Sequence, residues 1–293
     1  MSTTPTTVVA PDRSVFQHLS SLWSYRELLG NLVRKDLKVR YKNSSLGFVW
    51  SLLNPAMQMV IFTLIFQVVL KMGIPYFPIW LLSGALAWNL FSGSLLAATQ
   101  SITGNSSLVN KVWFPREILP LASVGANSVH YVLQSSVLLA TIAISPINFD
   151  WRWVWMAIPA IAVLLLLTAA GAIFFSCVNV YARDTQHLLE LLLMAWFWMT
   201  PILYPWFLPA SELDKHDLPS WLILLNPMTS VVLALQRSLY GHIVGHDGAQ
   251  LLPFEGQWWY LRNLGIVAII ATVLLVLALK LFSRLEGNFA EQL

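Results

Sequence analysis

Val163-Leu164-Leu165-Leu166-Leu167 and Val273-Leu274-Leu275-Val276-Leu277-Ala278-Leu279 are apolar at every position. A strand of a transmembrane barrel alternates between lipid and lumen, so runs without alternation exclude that architecture and read as helix. A helix needs about 20 apolar residues to cross a hydrocarbon core of about 30 Å. Outward from these two runs, charge-poor segments of suitable length recur. They place six spans near Val49–Leu70, Phe77–Ala98, Leu119–Ile144, Val154–Val180, Leu188–Tyr204 and Asn263–Leu279. Composition agrees: 57% of the 293 residues are hydrophobic and 11% charged, whereas a soluble domain carries roughly a quarter charged residues. The expected fold class is an all-α integral membrane protein with six transmembrane helices.

Lys and Arg favour the cytoplasmic side of a membrane. With both termini inside, the inner segments hold Arg13, Arg26, Arg34, Lys35, Lys38, Arg40, Lys42, Lys111, Arg116, Arg183, Lys280 and Arg284, and the outer ones only Lys71, Arg152, Lys215, Arg237 and Arg262. The N- and C-termini are therefore expected in the cytoplasm. Met1 to Ala10 is polar and lacks the charged start and apolar stretch of a cleavable signal, so the first span is expected to direct insertion. Net charge is +3, concentrated near the N-terminus, which implies membrane-surface contact rather than nucleic-acid binding.

Five regions follow. Residues 1–14 read as a disordered tail. Residues 15–45 read as a cytoplasmic amphipathic interface helix, with Leu29, Val33, Leu37 and Tyr41 in one i, i+4 row and Arg34, Lys38 and Lys42 in another. Residues 46–282 form the six-span domain, with an inner loop over 101–118 and an outer segment over 205–262. Residues 283–293 form a cytoplasmic tail. Pro55 removes a backbone donor and predicts a kink in the first span. The inner loop predicts a short amphipathic helix ended by Pro115, with Leu108, Val112 and Phe114 on its apolar face. In the outer segment, Trp221–Leu225 and Met228–Tyr240 are too short to span and too apolar to be solvated, which predicts re-entrant or interfacial helices.

Catalytic chemistry is hard to find. None of the 14 glycines precedes Lys, so no phosphate-cradling Gly-x-x-x-x-Gly-Lys-Ser/Thr loop exists and ATP is not bound in that way. The span interiors carry no acidic or basic group of the kind ion-coupled carriers use, apart from Glu190 near the end of the fifth span. His130 and Gln134 share a face of the third span and are expected to satisfy each other, with a polar channel lining as the alternative. Paired carboxylates and metal-ligand clusters are missing; His242 and His246, four apart, lie among glycines and read as loop. Asn43-Ser44-Ser45 and Asn105-Ser106-Ser107 match the glycosylation pattern but fall on the cytoplasmic side. The single cysteine, Cys177, reads as packing. No catalytic residue, metal or cofactor is expected in this chain.

Aromatic residues make up 13% of the sequence, including 14 Trp. Those near span ends, such as Trp151, Trp153, Trp155, Trp258, Trp259 and Tyr260, fit interfacial belts. Deeper ones are Phe62, Phe66, Trp88, Phe91, Trp196, Phe197 and Trp198. Sugar rings stack their C–H faces on aromatic faces, so these residues are candidates to line a sugar channel, with lipid-facing packing as the alternative.

Three ordered motifs carry a resemblance. They are Leu32-Val33-Arg34-Lys35-Asp36-Leu37-Lys38-Val39-Arg40-Tyr41-Lys42 with Ser45-Leu46-Gly47, Trp50 and Leu53-Asn54-Pro55; Asn110-Lys111-Val112-Trp113-Phe114-Pro115-Arg116-Glu117-Ile118-Leu119-Pro120; and Leu285-Glu286-Gly287-Asn288-Phe289-Ala290-Glu291. Together they resemble the permeases of polysaccharide and polyol-phosphate ABC exporters, of the O-antigen, teichoic-acid or galactan type, in the ABC-2 superfamily. The resemblance implies a homodimer in the bacterial cytoplasmic membrane that binds two copies of a separate ABC ATPase subunit, which carries the ATP and Mg, and exports a lipid-linked polysaccharide. It implies that Asn110, Lys111, Val112, Phe114, Pro115, Arg116, Glu117, Arg183 and Asp184 couple to the ATPase, with a main coupling helix over Ser101–Phe114. It also implies that Arg34, Lys35, Lys38, Arg40 and Lys42 meet the lipid pyrophosphate, and that the segment near 221–240 forms gate helices. The alternative is an ABC-2-type exporter of a small molecule or drug, which the basic interface helix and the aromatic load disfavour. The identity of the polymer stays open.

Overall fold

A computed structural model describes residues 23–42, 44, 47–147, 150–241, 244–245, 248 and 250–292. The expected tail over 1–14, the start of the interface helix, Asn43 and Ser45 of the glycosylation match, His242 and His246 lie outside the described residues.

The described residues are helical, with one isolated bridge between Val244 and Gln250. In chain order the helices are α1 (Arg26–Tyr41), α2 (Val49–Thr63, continued by a π-helical stretch Leu64–Val69), α3 (Phe77–Thr99), α4 (Ser106–Lys111), α5 (Ile118–Ile144) and α6 (Trp151–Val154). Then follow α7 (Ala157–Tyr181), α8 (Thr185–Trp198), α9 (Phe207–Lys215), a 3-10 turn Ser220–Leu225, α10 (Pro227–Leu239), α11 (Gln257–Leu285) and α12 (Phe289–Gln292). Among the described residues five segments are long and apolar enough to cross a membrane: Val49–Val69, Phe77–Thr99, Ile118–Ile144, Trp151–Tyr181 and Gln257–Asn288.

The fifth expected span, Leu188–Tyr204, is not continuous. Its helix α8 has 14 residues, about 21 Å at 1.5 Å per residue, short of a hydrocarbon core of about 30 Å. Thr200 folds its hydroxyl back to the Trp196 carbonyl at 2.9 Å, and Pro201 follows without a backbone donor. The chain then leaves through α9 and the 3-10 turn, and returns to the point where α8 stopped. There Asn226 accepts from Trp196 Nε1 at 2.7 Å, donates to Thr200 Oγ1 at 2.9 Å, and caps α10 by accepting from Met228 N at 3.0 Å. Thus α8 and α10 abut at one asparagine. Every residue of α10 from Met228 to Ser238 is buried, because it threads between α3, α7 and α11.

The core is centred on α3, α7 and α10. Gly84 brings α3 against α10: a Cβ there would lie 3.1 Å from Val232 Cγ1. Asn179 of α7 donates to the Thr99 carbonyl of α3 at 2.9 Å. At the far end Tyr240 packs edge-on against Trp80 with centroids 5.2 Å apart and donates to the Pro75 carbonyl at 2.8 Å. Arg237, 8% exposed, lies 3.9 Å over the Trp153 ring, a cation–π contact that accompanies a buried charge. In contrast, α2 is apolar yet exposed along most of its length, as are Leu188, Leu191, Leu192 and Met194 of α8.

Pro55 lies inside α2, and a π-helical stretch follows at Leu64–Val69. Leu70 N donates five residues back to Ile65 at 2.9 Å, which is the wider π winding. α1 lies on α5 at a second glycine, Gly125, where a Cβ would come within 2.8 Å of Val33 Cγ2. Leu28, Leu29, Leu32 and Val33 pack inward, while Arg34, Lys38 and Lys42 are exposed.

Candidate functional site

Three helices of the membrane domain carry polar residues three, four or seven positions apart: Ser51, Asn54 and Gln58 on α2; Asn89 and Ser92 on α3, followed on the same face by Gly93 and Leu96; Asn127, His130 and Gln134 on α5. That spacing puts each set on one helix face. The three faces converge with Arg40 and Tyr41 of α1 around a cavity of about 440 Å³. Asn89 Nδ2 donates to Gln58 Oε1 at 3.3 Å, linking α3 to α2. Asn127 Nδ2 donates to the carbonyls of Ser123 at 2.9 Å and Gly93 at 3.4 Å, linking α5 to α3.

His130 does not pair with Gln134. Its Nδ1 meets Tyr41 Oη at 2.8 Å, with the rings edge-on at 5.6 Å. The end of α1 reaches across α5 and supplies a closer partner than the same helix can. Asn54 and Gln134 have no side-chain hydrogen bond among the described residues, so their amides are available to a guest. Arg40 is the only cation lining the cavity among the described residues. The rest of the lining mixes neutral hydroxyl, amide, imidazole and phenol groups with the apolar Trp50, Leu90 and Leu96, a combination suited to sugar rings, with one anionic group at Arg40.

The second and third sequence motifs meet at the same end of the bundle as α1. The expected helix over Ser101–Phe114 is shorter: a 3-10 turn Thr103–Asn105, then α4, which stops at Lys111. It ends before Pro115 because Val112 takes an extended conformation. The motif then divides. Asn110, Lys111, Val112 and Trp113 are exposed, Trp113 to 72%. Phe114, Pro115 and Glu117 are buried, Phe114 among Phe282, Phe289, Ile118 and Leu119. Arg116 donates to the Glu286 carbonyl and lies 5.7 Å over the Phe289 ring. Tyr181 Oη donates to the Leu285 carbonyl at 2.8 Å. Half of the expected coupling motif is therefore a clasp for the C-terminal motif, and only its tip is surface. Arg183 and Asp184 lie exposed beside it, with no ion pair between them among the described residues.

Of the five basic residues expected at the lipid pyrophosphate, Lys35 is tied to Asn105 Oδ1 at 2.7 Å; Arg34, Lys38 and Lys42 are exposed, and Arg40 lines the cavity. The deep aromatics pack on one another. Trp88 and Phe91 are buried, and Trp88 contacts Phe197 at 5.7 Å while Phe91 contacts Trp196 at 5.2 Å, joining α3 to α8. Phe62 and Phe66 form a second group that stacks on Phe77. Trp198 alone of the seven is more than half exposed. In the protomer these rings hold helices together, and Trp88 and Phe91 face no open space.

The model of the ABC-2 type transporter membrane family matches residues 27–240, from α1 through the end of α10. The chain belongs to the ABC-2 type transporter family. Relatives extend the match over almost the full length. The O-antigen export system permease protein RfbA of Myxococcus xanthus is 32% identical over 93% of this chain and 97% of its own. The protein of the same description from Klebsiella pneumoniae is 31% identical over 90% and 94%. The polysialic acid transport protein KpsM of Escherichia coli is 23% identical over 72% and 81%. This ABC-2 chain is accordingly a multi-pass membrane protein.

Within the ABC-2 region, sequence reasoning missed Asn54, Gln58, Asn89 and Asn127. The signal was present as three polar stripes in otherwise apolar spans, which lipid does not tolerate unless they face a cavity or one another.

Proposed function

We propose that this chain is the permease of an exporter that carries a lipid-linked polysaccharide outward, driven by a separate ATPase subunit and hydrolysing no ATP itself. The observation that carries the reading is the cavity between α1, α2, α3 and α5. Its walls combine neutral hydrogen-bonding groups, which suit sugar hydroxyls, with Trp50, Leu90 and Leu96, which suit the C–H faces of sugar rings, and Arg40 suits a phosphate at the membrane surface. The full-length similarity to O-antigen export permeases supports the same substrate class. In this reading α1 lies on the cytoplasmic surface with both termini inside, α10 is a re-entrant helix, and the exposed faces of α2 and α8 meet a second copy. The tip Asn110–Trp113, with Arg183 and Asp184, seats the ATPase.

Motion at the tip has a physical route inward. Lys35 holds Asn105 at the start of α4, and Tyr41 on the same helix holds His130 in the cavity wall. A push on α4 therefore reaches the cavity through α1.

The test is ATPase activity of the chain co-purified with its ATPase in lipid nanodiscs, with and without lipid-linked glycan. Activity confined to the co-complex and stimulated by glycan is expected. Asn89→Leu with Asn127→Leu should abolish the stimulation while leaving the complex assembled. If the chain recruits no ATPase, or glycan leaves the rate unchanged, the reading fails.

A further inference from the structure

At the end of the bundle opposite α1 lies a second cleft of about 440 Å³, between α9, the 3-10 turn Ser220–Leu225 and the segment 250–259. Its apolar wall is aromatic: Trp206, Phe254 and Trp259. Its polar side holds Asp214, Gln250 and Glu255. No Lys, Arg or His lines it among the described residues. Neither Asp214 nor Glu255 forms an ion pair or a side-chain hydrogen bond among the described residues, so both carboxylates retain their accepting capacity.

The walls are built without a guest. Trp206 N donates to the Leu251 carbonyl at 3.1 Å, which closes α9 onto the segment opposite. Tyr260 Oη holds the Pro253 carbonyl at 2.9 Å, and Trp206 meets Trp259 edge-on at 6.4 Å. Preorganisation of this kind lowers the cost of ordering side chains on binding. An interfacial belt explains tryptophans at this level of a membrane protein. It explains neither the concavity nor two free carboxylates in it, which repel anionic headgroups.

Aromatic faces carry negative potential that attracts the slightly positive C–H face of a sugar ring. Carboxylates and an amide beside them accept from ring hydroxyls, as charge-assisted bonds stronger than neutral ones. The same carboxylates repel a polyanion. We propose that this cleft is a glycan subsite that takes a neutral segment of the exported polymer and excludes acidic chains. This rests on the export reading above and adds to it a substrate class.

The test uses the full chain in zwitterionic lipid nanodiscs. Tetrasaccharides of neutral hexose, 6-deoxyhexose and N-acetylhexosamine are titrated beside a sialic acid tetramer, with saturation-transfer NMR and tryptophan fluorescence as readouts. At least one neutral tetrasaccharide is expected to bind and the acidic one not. Asp214→Asn with Glu255→Gln should weaken neutral binding about tenfold, the loss of about 1.4 kcal/mol. Asp214→Lys with Glu255→Lys should admit the sialic acid tetramer. These exposed substitutions leave the aromatic packing intact, so a folding failure of a Trp206 variant does not remove the test. Absence of binding across the neutral panel, equal binding of the acidic chain, or indifference to both double variants overturns the subsite. Glycan-stimulated ATPase of the wild-type co-complex separates the two ideas: stimulation without cleft binding leaves the exporter and removes the subsite, whereas no stimulation removes the exporter reading itself.

Discussion

Asp36 lies half-buried on the inner side of α1, beside Leu32, Gln100, Ser101 and Asn105. Burial pushes its carboxyl above the usual range, and the nearby Lys35 and Arg40 only partly oppose this. The folded state therefore binds the proton more tightly than the unfolded chain. The linked stability is fully present below the unfolded carboxylate pKa, about 4, and is lost as pH rises through the raised folded value. Asp36→Asn should raise the melting temperature at pH 7 to 8, with the gap closing toward pH 4; a gap that widens on acidification would contradict this sign. Asn226 acts at the same scale. Asn226→Ala removes a helix cap, about 1 kcal/mol, and strands the Trp196 indole N–H, about 1–3 kcal/mol. A loss of roughly 2–4 kcal/mol by those terms is expected in denaturation of the detergent-solubilised chain, whereas Asn226→Asp, which keeps the acceptor, should lose less.

Between elements, the clasp joining residues 114–117 to the C-terminal turn is the clearest coupling. Arg116→Ala deletes a charge-assisted hydrogen bond and the contact over Phe289, together about 2 kcal/mol. Faster amide exchange over residues 285–292, with α3 and α7 unaffected, is the expected signature. Equal protection in the variant would show that Phe282 and Phe289 hold α12 alone. The α8–α10 junction follows a different logic. Backbone that leaves the helical ladder inside a packed bundle must have its polar groups satisfied, and Asn226 supplies that satisfaction. This is why Leu188–Tyr204, which reads as one apolar run, is folded as a short helix and a turn: the partner that ends it is 26 to 30 residues away in sequence.

Across the whole molecule, apolar surface is distributed unevenly. α3 and α10 are enclosed, while α2 and one face of α8 present Leu53, Met57, Val60, Ile61, Leu191, Leu192 and Met194 outward. Lipid covers such faces as readily as protein does, so burial alone does not tell them apart. A homodimer through these faces predicts that single cysteines at Leu191 and Met57, in a Cys177→Ala background, cross-link between copies in native membranes. A cysteine at Ile158, exposed on α7, should not. Monomers in nanodiscs by mass photometry, with no cross-linking, would exclude this arrangement.

Hydropathy alone determined that the chain is helical and membrane-embedded, because long runs without alternation admit no other solution in lipid. The two rows of α1 and the ordered motifs were legible too, since periodicity and local spacing are properties of the chain itself. The break between α8 and α10, the pairing of His130 with Tyr41 and the burial of Phe114 were not, for each depends on a residue brought close only by folding. The cavity stands between the two. Its polar positions are written three to seven residues apart on three separate helices, but that they face one another, and that Arg40 closes the ring, was decided by how those helices pack.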